Sequence, residues 1–294
     1  VNIVAFSGGE GLRVRKMNCH HFDGSVVGKE GEMGDKVRLV AYGGGVNSTA
    51  MVVELVRRGE MPTAVLFSDT GGEKPATYEY MALFNDWLKR NAAQELIVLK
   101  KGGRQETLEE NLLRAKSLPS LAYGFHRCAQ EFKIQPMDKW RNNFPPAREL
   151  FARGEKIEKC IGYDAGEAHR AKRANEQNDP KEIRRYPLIE WDMGRSECIA
   201  AITAAGLPPP PKSSCFFCPA SKPSEVLKLA ADHPDLFARA VAIERNAETH
   251  SVAGLGRNFS WESLVRADAA QLKLFNHAPA IACACLDEDE EDSR

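Results

Sequence analysis

Apolar residues along this chain fall in short runs separated by longer segments with helical spacing. The runs Val37–Tyr42, Thr63–Ser68, Glu95–Leu99, Ile157–Gly162 and Tyr186–Ile189 predict strands. Between them, Thr49–Arg58, Ala76–Arg90 and Gln105–Lys116 predict helices. In the second of these, Tyr78, Met81, Phe84, Trp87 and Leu88 share one face, which reads as core packing rather than a cofactor site. Repeated strand–helix alternation predicts an α/β domain, a parallel sheet with helices on both faces. The pattern changes after Gly206. Pro208–Pro211 is a rigid break, and helices near Ser224–Asp232 and Pro234–Glu248 predict a small helical C-terminal cap. The expected organisation is an α/β domain over residues 34–206, a cap with clustered cysteines over 207–285 and an acidic tail over 286–294. That tail, with Asp287–Asp292 acidic throughout, reads as solvated and disordered. Residues 1–33 show no sustained period and read as a disordered or mis-annotated extension, with translation expected to begin at Met33.

Composition narrows the functional classes only a little. The chain has 294 residues, enough for a sizeable core, and 40 Lys+Arg against 41 Asp+Glu. That balance argues against broad nonspecific nucleic-acid binding. Arg170, Lys172, Arg173, Lys181, Arg184 and Arg185 could still touch an anionic polymer locally, although a solvated surface is the favoured reading. No apolar run approaches the roughly 20 residues that span a bilayer, so no membrane partner and a cytoplasmic location are expected.

The chemistry begins at the end of the first strand. Tyr42-Gly43-Gly44-Gly45-Val46-Asn47-Ser48-Thr49 is a glycine-rich turn that opens an apolar helix. Glycines let backbone N–H groups approach an anion without Cβ clashes, Ser48 and Thr49 add hydroxyls, and the helix N-terminus favours negative charge. The loop has no Gly-Lys-Ser/Thr ending and no G-x-G-x-x-G spacing, so it is neither a Walker A loop nor a dinucleotide fingerprint.

Gly43–Ser48 resembles the S-G-G-x-D-S loop of N-type ATP pyrophosphatases (PP-loop proteins) and phosphoadenosine phosphosulfate (PAPS) reductases, with Tyr42 in place of the first Ser and Asn47 in place of Asp. Further segments are similar to that superfamily in the same order. They are Asp69-Thr70-Gly71 with Glu73, then Arg127-Cys128 with Lys133 and Pro136. Ile161–Glu167 with Arg170, Tyr186–Trp191 and Cys215-Phe216-Phe217-Cys218-Pro219 complete the set. The resemblance implies an adenine nucleotide alpha-hydrolase-like fold. It implies phosphate binding by Tyr42, Gly43, Gly44, Gly45, Asn47, Ser48 and Thr49, and placement of the nucleoside by Asp69. Lys133, Glu167 and Arg170 would line the outer end of the anion as the catalytic set. A Mg2+ ion would accompany ATP, but Asn47 lacks the charge of the Asp it replaces.

Eight cysteines occur, at 19, 128, 160, 198, 215, 218, 283 and 285. Cys215-x-x-Cys218 is a knuckle that can grip one metal. Family members with a cluster place cysteine where Cys128 stands, which makes it the third ligand. Cys285 or Cys283 is the expected fourth and Cys160 the runner-up. A [4Fe–4S] cluster is the leading expectation, with zinc and a redox dithiol as alternatives. Cys160 and Cys198 otherwise read as buried small side chains.

The leading reading is an enzyme that uses ATP to adenylate a substrate, releasing pyrophosphate for sulfur transfer or nucleic-acid modification. Its partner would be a nucleic acid or a sulfur carrier. A second reading is thiol-dependent reduction of PAPS or adenosine phosphosulfate to sulfite. That reading is weakened because the C-terminal cysteine element of the resembling reductases has only Ala282-Cys283-Ala284-Cys285 as its counterpart. A third is a non-catalytic nucleotide-binding partner.

Overall fold

The computed structural model describes residues 36–102, 106–175, 179–249 and 251–276. The chain order is β1 (Arg38–Ala41), α1 (Val46–Arg57), β2 (Ala64–Ser68), α2 (Pro75–Ala92), β3 (Leu96–Leu99) and α3 (Leu108–Ala115). A 3-10 turn at Ser120–Tyr123 leads into α4 (Arg127–Ala129), a π-helical turn at Gln130–Ile134, α5 (Gln135–Asn143) and α6 (Pro145–Ala152). Then come β4 (Ile157–Ile161), a 3-10 turn at Ala165–Glu167, α7 (Ala168–Asn175), β5 (Glu182–Arg185), α8 (Pro187–Glu190) and α9 (Arg195–Ala204). The last elements are α10 (Pro223–Asp232), α11 (Pro234–Asn246) and α12 (Trp261–Asn276).

The five strands form one parallel sheet in the order β3-β2-β1-β4-β5. Every residue of β2 is buried, as a central parallel strand covered on both faces requires. Alternate side chains sort to the two faces. Val40, Val65, Phe67, Val98 and Cys160 pack with α1, α2 and α9, whereas Leu39, Leu66, Leu99 and Ile157 pack with Ala147 and Leu150 of α6. The α/β architecture with helices on both faces is therefore the observed one.

The fifth strand corrects the sequence reading. Tyr186–Ile189 is not a strand: Pro187 opens the short helix α8, and β5 lies just before it at Glu182–Arg185. Proline at the first helical position is favourable, and its missing N–H cannot serve a ladder. The true edge strand was hidden because it is largely charged, a composition that protects an edge from further pairing. Its Ile183 is 59% exposed.

The second core lies under the C-terminal helices, where α3, the Cys215–Cys218 knuckle, α10 and α11 bury Leu112, Phe216, Phe217, Leu229, Ile243 and Trp261 together. Residues 207–214 carry neither helix nor strand, as the four prolines require. α3 starts with a capping box, Thr107 accepting from the Glu110 backbone N–H while the Glu110 carboxylate accepts from that of Thr107. Among the described residues no helix is long and apolar enough to cross a membrane. The expectations for residues 1–33 and for the acidic tail lie outside the described residues.

Candidate nucleotide and thiol site

The glycine-rich loop stands at the C-terminal end of β1, between it and α1, where open α/β sheets bind ligands. Gly45 is the N-cap of α1 and brings no side-chain cap, which leaves first-turn N–H groups for an anion or solvent. The loop is latched internally: Ser48 Oγ donates to the Gly45 carbonyl at 3.1 Å and accepts from the Gly43 N–H at 3.2 Å. Gly44 has φ +72°, a left-handed conformation that favours glycine. From behind, Gly162 at the end of β4 presses on the loop so closely that a Cβ there would lie 2.9 Å from Ser48 Cα and N.

Two of the expected loop ligands send their side chains into the core. The Tyr42 ring is buried and stacks on Phe84 at 4.5 Å, and its hydroxyl lies 3.2 Å from Thr49 Oγ1. Burial pushes the Tyr42 phenol far above the usual tyrosine range. Both side chains are buried, and only the backbone at these positions borders the loop. Aromatic stacking explains why tyrosine fits where the resembling loops carry serine.

Asn47 in the first turn of α1 holds charged partners. Its Nδ2 donates to Asp164 Oδ2 at 3.0 Å and to Glu167 Oε2 at 2.9 Å, and its Oδ1 accepts from Arg195 Nη1 at 3.1 Å. Glu167 also pairs with Arg170, whose guanidinium lies 4.3 Å from the centre of the Tyr163 ring. Glu167 thus touches the first turn of α1 through Asn47, and Arg170 stands behind it. Asp164 lies within the Ile161–Glu167 segment, and Arg195 carries no sequence signal.

Lys133 belongs to another part of the site. Its Nζ lies 3.4 Å from Glu73 Oε1, and the Glu73 side chain is fully buried with its second oxygen unpartnered. Burial works to lower the Lys133 pKa, but its neighbours, the Glu73 carboxylate first, outweigh it and hold the ammonium above its usual range. Lys133 lies in the π-helical turn, and its carbonyl accepts from Ser68 Oγ at 2.8 Å. Pro136 accounts for the turn: its ring clashes with the carbonyl four residues back and removes a donor from the helical ladder. A cavity of about 470 Å3 opens between Gly43, Phe67, Lys133, Ile134, Ile161 and Tyr163. Asp69, at the end of β2, accepts from the Gly71 N–H and the Tyr78 hydroxyl, both at 2.8 Å, with Lys100 Nζ 3.6 Å away. Tyr78 therefore departs from the purely packing role expected of its helix face.

The knuckle is docked on this same edge. Phe216 N donates to the Gly72 carbonyl at 2.8 Å, Glu73 and Cys215 form an antiparallel bridge, and Thr70 Oγ1 lies 3.2 Å from Cys215 Sγ. Ser213 Oγ donates to the Gly43 carbonyl at 2.6 Å, tying the knuckle's approach to the glycine-rich loop. Cys128 and Cys218 pack at the margin of the core that contains Cys215, and the Cys218 thiol feels Cys128 electrostatically. Burial, then the Glu73 carboxylate, push the Cys215 thiol up to about 12. A free nucleophilic thiol needs the opposite shift.

Three expected ligands, Cys128, Cys215 and Cys218, thus share one neighbourhood, and their soft donors suit zinc or an iron–sulfur cluster rather than a hard cation. Among the described residues, however, no group of three His, Cys, Asp or Glu side chains has an arrangement that could hold a metal ion. Cys285 and Cys283 lie outside the described residues. Cys160, the runner-up, is buried in the sheet core, where its thiol is also pushed up to about 12, and Cys198 is buried in the same core from α9.

No family model matches the chain, and no curated protein matches it. Among solved structures it is similar to the U34-tRNA thiolase NcsA from Methanococcus maripaludis with its [4Fe-4S] cluster. That likeness covers 79% of this chain and 80% of the thiolase at 14% identity, with a TM-score of 0.36. Identity and score at this level transfer no activity.

Proposed function

We propose that this chain is a PP-loop nucleotide-binding enzyme that adenylates its substrate with ATP and releases pyrophosphate, in the service of sulfur transfer or nucleic-acid modification. The observation that carries the reading is the docking of the Cys215–Cys218 knuckle on the phosphate-loop edge, through Ser213 on Gly43 and Thr70 on Cys215. A nucleotide and a thiol-held centre would then face one reaction space. The loop backbone would take the phosphates, and the cavity beside Phe67 and Lys133 would take the nucleoside. Reduction of PAPS ranks second, because the C-terminal cysteine element of the resembling reductases has only Ala282-Cys283-Ala284-Cys285 as its counterpart.

Calorimetric titration of anaerobically purified protein with ATP, PAPS and adenosine phosphosulfate tests the reading. Preference for ATP is expected, and preference for a sulfated nucleotide would overturn it in favour of the reductase. In the same assay Ser48→Ala is expected to weaken ATP binding by about 1–3 kcal/mol, through loss of the latch on Gly43 and Gly45. Unchanged affinity would remove the loop from the binding site.

Cys128, Cys215 and Cys218 are the residues proposed to hold a cluster or zinc, with Cys285 as a fourth donor. Elemental analysis of iron and zinc in Cys215→Ser is expected to show loss of bound metal together with a lower unfolding midpoint. Full metal content in that variant would take Cys215 out of the ligand set.

A further inference from the structure

At the phosphate loop, the place where a carboxylate would recruit a divalent cation is occupied by an amide. Asn47 has two N–H donors, and each is used on a different carboxylate, Asp164 and Glu167. Its oxygen faces the guanidinium of Arg195. Charge fixes this orientation: the flipped amide would set its oxygen against two carboxylates and its NH2 against a guanidinium. An aspartate at this position would instead gather three carboxylates, a donor set for a hard cation. The donor set present is a poor fit for the Mg2+ ion expected of such a loop, because the third carboxylate is missing and the amide aims its N–H groups at the other two.

Arg195 is the second half of the observation. It opens α9, is exposed, and has no carboxylate partner among the described residues, so the neutral amide of Asn47 is the contact that tethers it. Arg170, by contrast, is paired with Glu167. One N–H of Arg195 is committed to Asn47, and the guanidinium has four more donors for an anion. Asp164, Glu167, Arg170 and Arg195 carry two charges of each sign, so the surroundings of Asn47 are neutral before a nucleotide binds. With aspartate at 47 they would carry a net negative charge that repels phosphate.

We infer that Arg195, held in place by Asn47, supplies the positive charge at the phosphate loop that a divalent cation would otherwise supply, so that the loop binds the polyphosphate of a nucleotide without Mg2+. The inference rests on the nucleotide reading above and adds a phosphate-specificity residue to it. An arginine positioned in this way makes charge-assisted hydrogen bonds to phosphate oxygens directly.

Calorimetry with ATP and with adenosine, each in MgCl2 and in EDTA, tests it. Wild-type protein is expected to bind ATP in EDTA within about threefold of its affinity in Mg2+. Arg195→Ala should lose about tenfold or more for ATP in EDTA while keeping adenosine within about threefold, and Arg195→Lys should recover part of the loss. Asn47→Asp should lose ATP binding in EDTA by about tenfold or more and regain it when Mg2+ is added. A wild-type affinity that collapses in EDTA, or an Arg195→Ala protein that binds ATP normally, would overturn the inference and leave the nucleotide site standing. If wild-type protein binds neither adenosine nor ATP, the nucleotide reading falls and this inference with it.

Discussion

Phe217→Ala is expected to lower the unfolding free energy by about 3–5 kcal/mol, the usual cost of emptying a fully buried aromatic site. Phe217 is 0% exposed and sits between the two cysteines of the knuckle. Its ring meets Phe216 edge-on at 4.7 Å and fills the space above Gly72, where an added Cβ would come within 2.7 Å of it. The ring therefore serves two purposes. It anchors the C-terminal core, and it packs beside Cys215, which meets Thr70 and Glu73 at the sheet edge. Because domains are stable by only about 5–15 kcal/mol, a loss of this size should shift the urea midpoint strongly without changing the dependence on denaturant. Cys215 should react faster with a thiol reagent under native conditions in the variant than in the wild type. A shift below about 1 kcal/mol would mean that the knuckle does not rely on this ring for its position.

The legible parts of the chain were those in which local pattern and tertiary role agree. Val40, Leu66, Phe67 and Val98 lie in short apolar runs and became the buried sheet, and Met81, Phe84, Trp87 and Leu88 became one packed helix face. The charged edge strand Glu182–Arg185 was missed because an edge needs no apolar run, and the neighbouring Tyr-Pro-Leu-Ile mimicked one. The helices of the segment 127–152 are poorly marked in the sequence. There Pro136 and Pro145 interrupt the period, yet one proline accompanies the π-turn and the other starts α6.

For the site, the loop, Asp69, Lys133, Glu167, Arg170 and the knuckle were all visible as residues, but their grouping was not. Lys133 faces Glu73 and the thiols, whereas Glu167 faces Asn47 and Arg170 pairs with Glu167. Tyr42 shows the limit of motif reading from the other side. A residue in the motif frame can send its side chain into the core while its backbone alone serves the loop. Arg195 reaches Asn47 across 148 residues of sequence, so no spacing rule could have linked them.

The other large effect is expected from the smallest residue at the site. Gly162→Ala should reduce nucleotide affinity by more than about a hundredfold, because the added Cβ would come 2.9 Å from the Ser48 N and Cα and 3.1 Å from the Asn47 carbonyl carbon. Those neighbours are backbone in the first turn of α1 and have no flexible end to move aside. Relief requires either β4 or the loop to shift, and β4 is pinned by parallel pairing to both β1 and β5. The loop therefore yields, and its N–H groups leave their common focus. Loss of two charge-assisted hydrogen bonds to phosphate, at about 1.5–3 kcal/mol each, accounts for the predicted fall. Overpacking should cost about 1–3 kcal/mol of stability as well, so unfolding must be measured beside binding. A Gly162→Ala protein that remains folded at the assay temperature and binds ATP like the wild type would show that the contact between β4 and the loop does not set the phosphate-binding geometry.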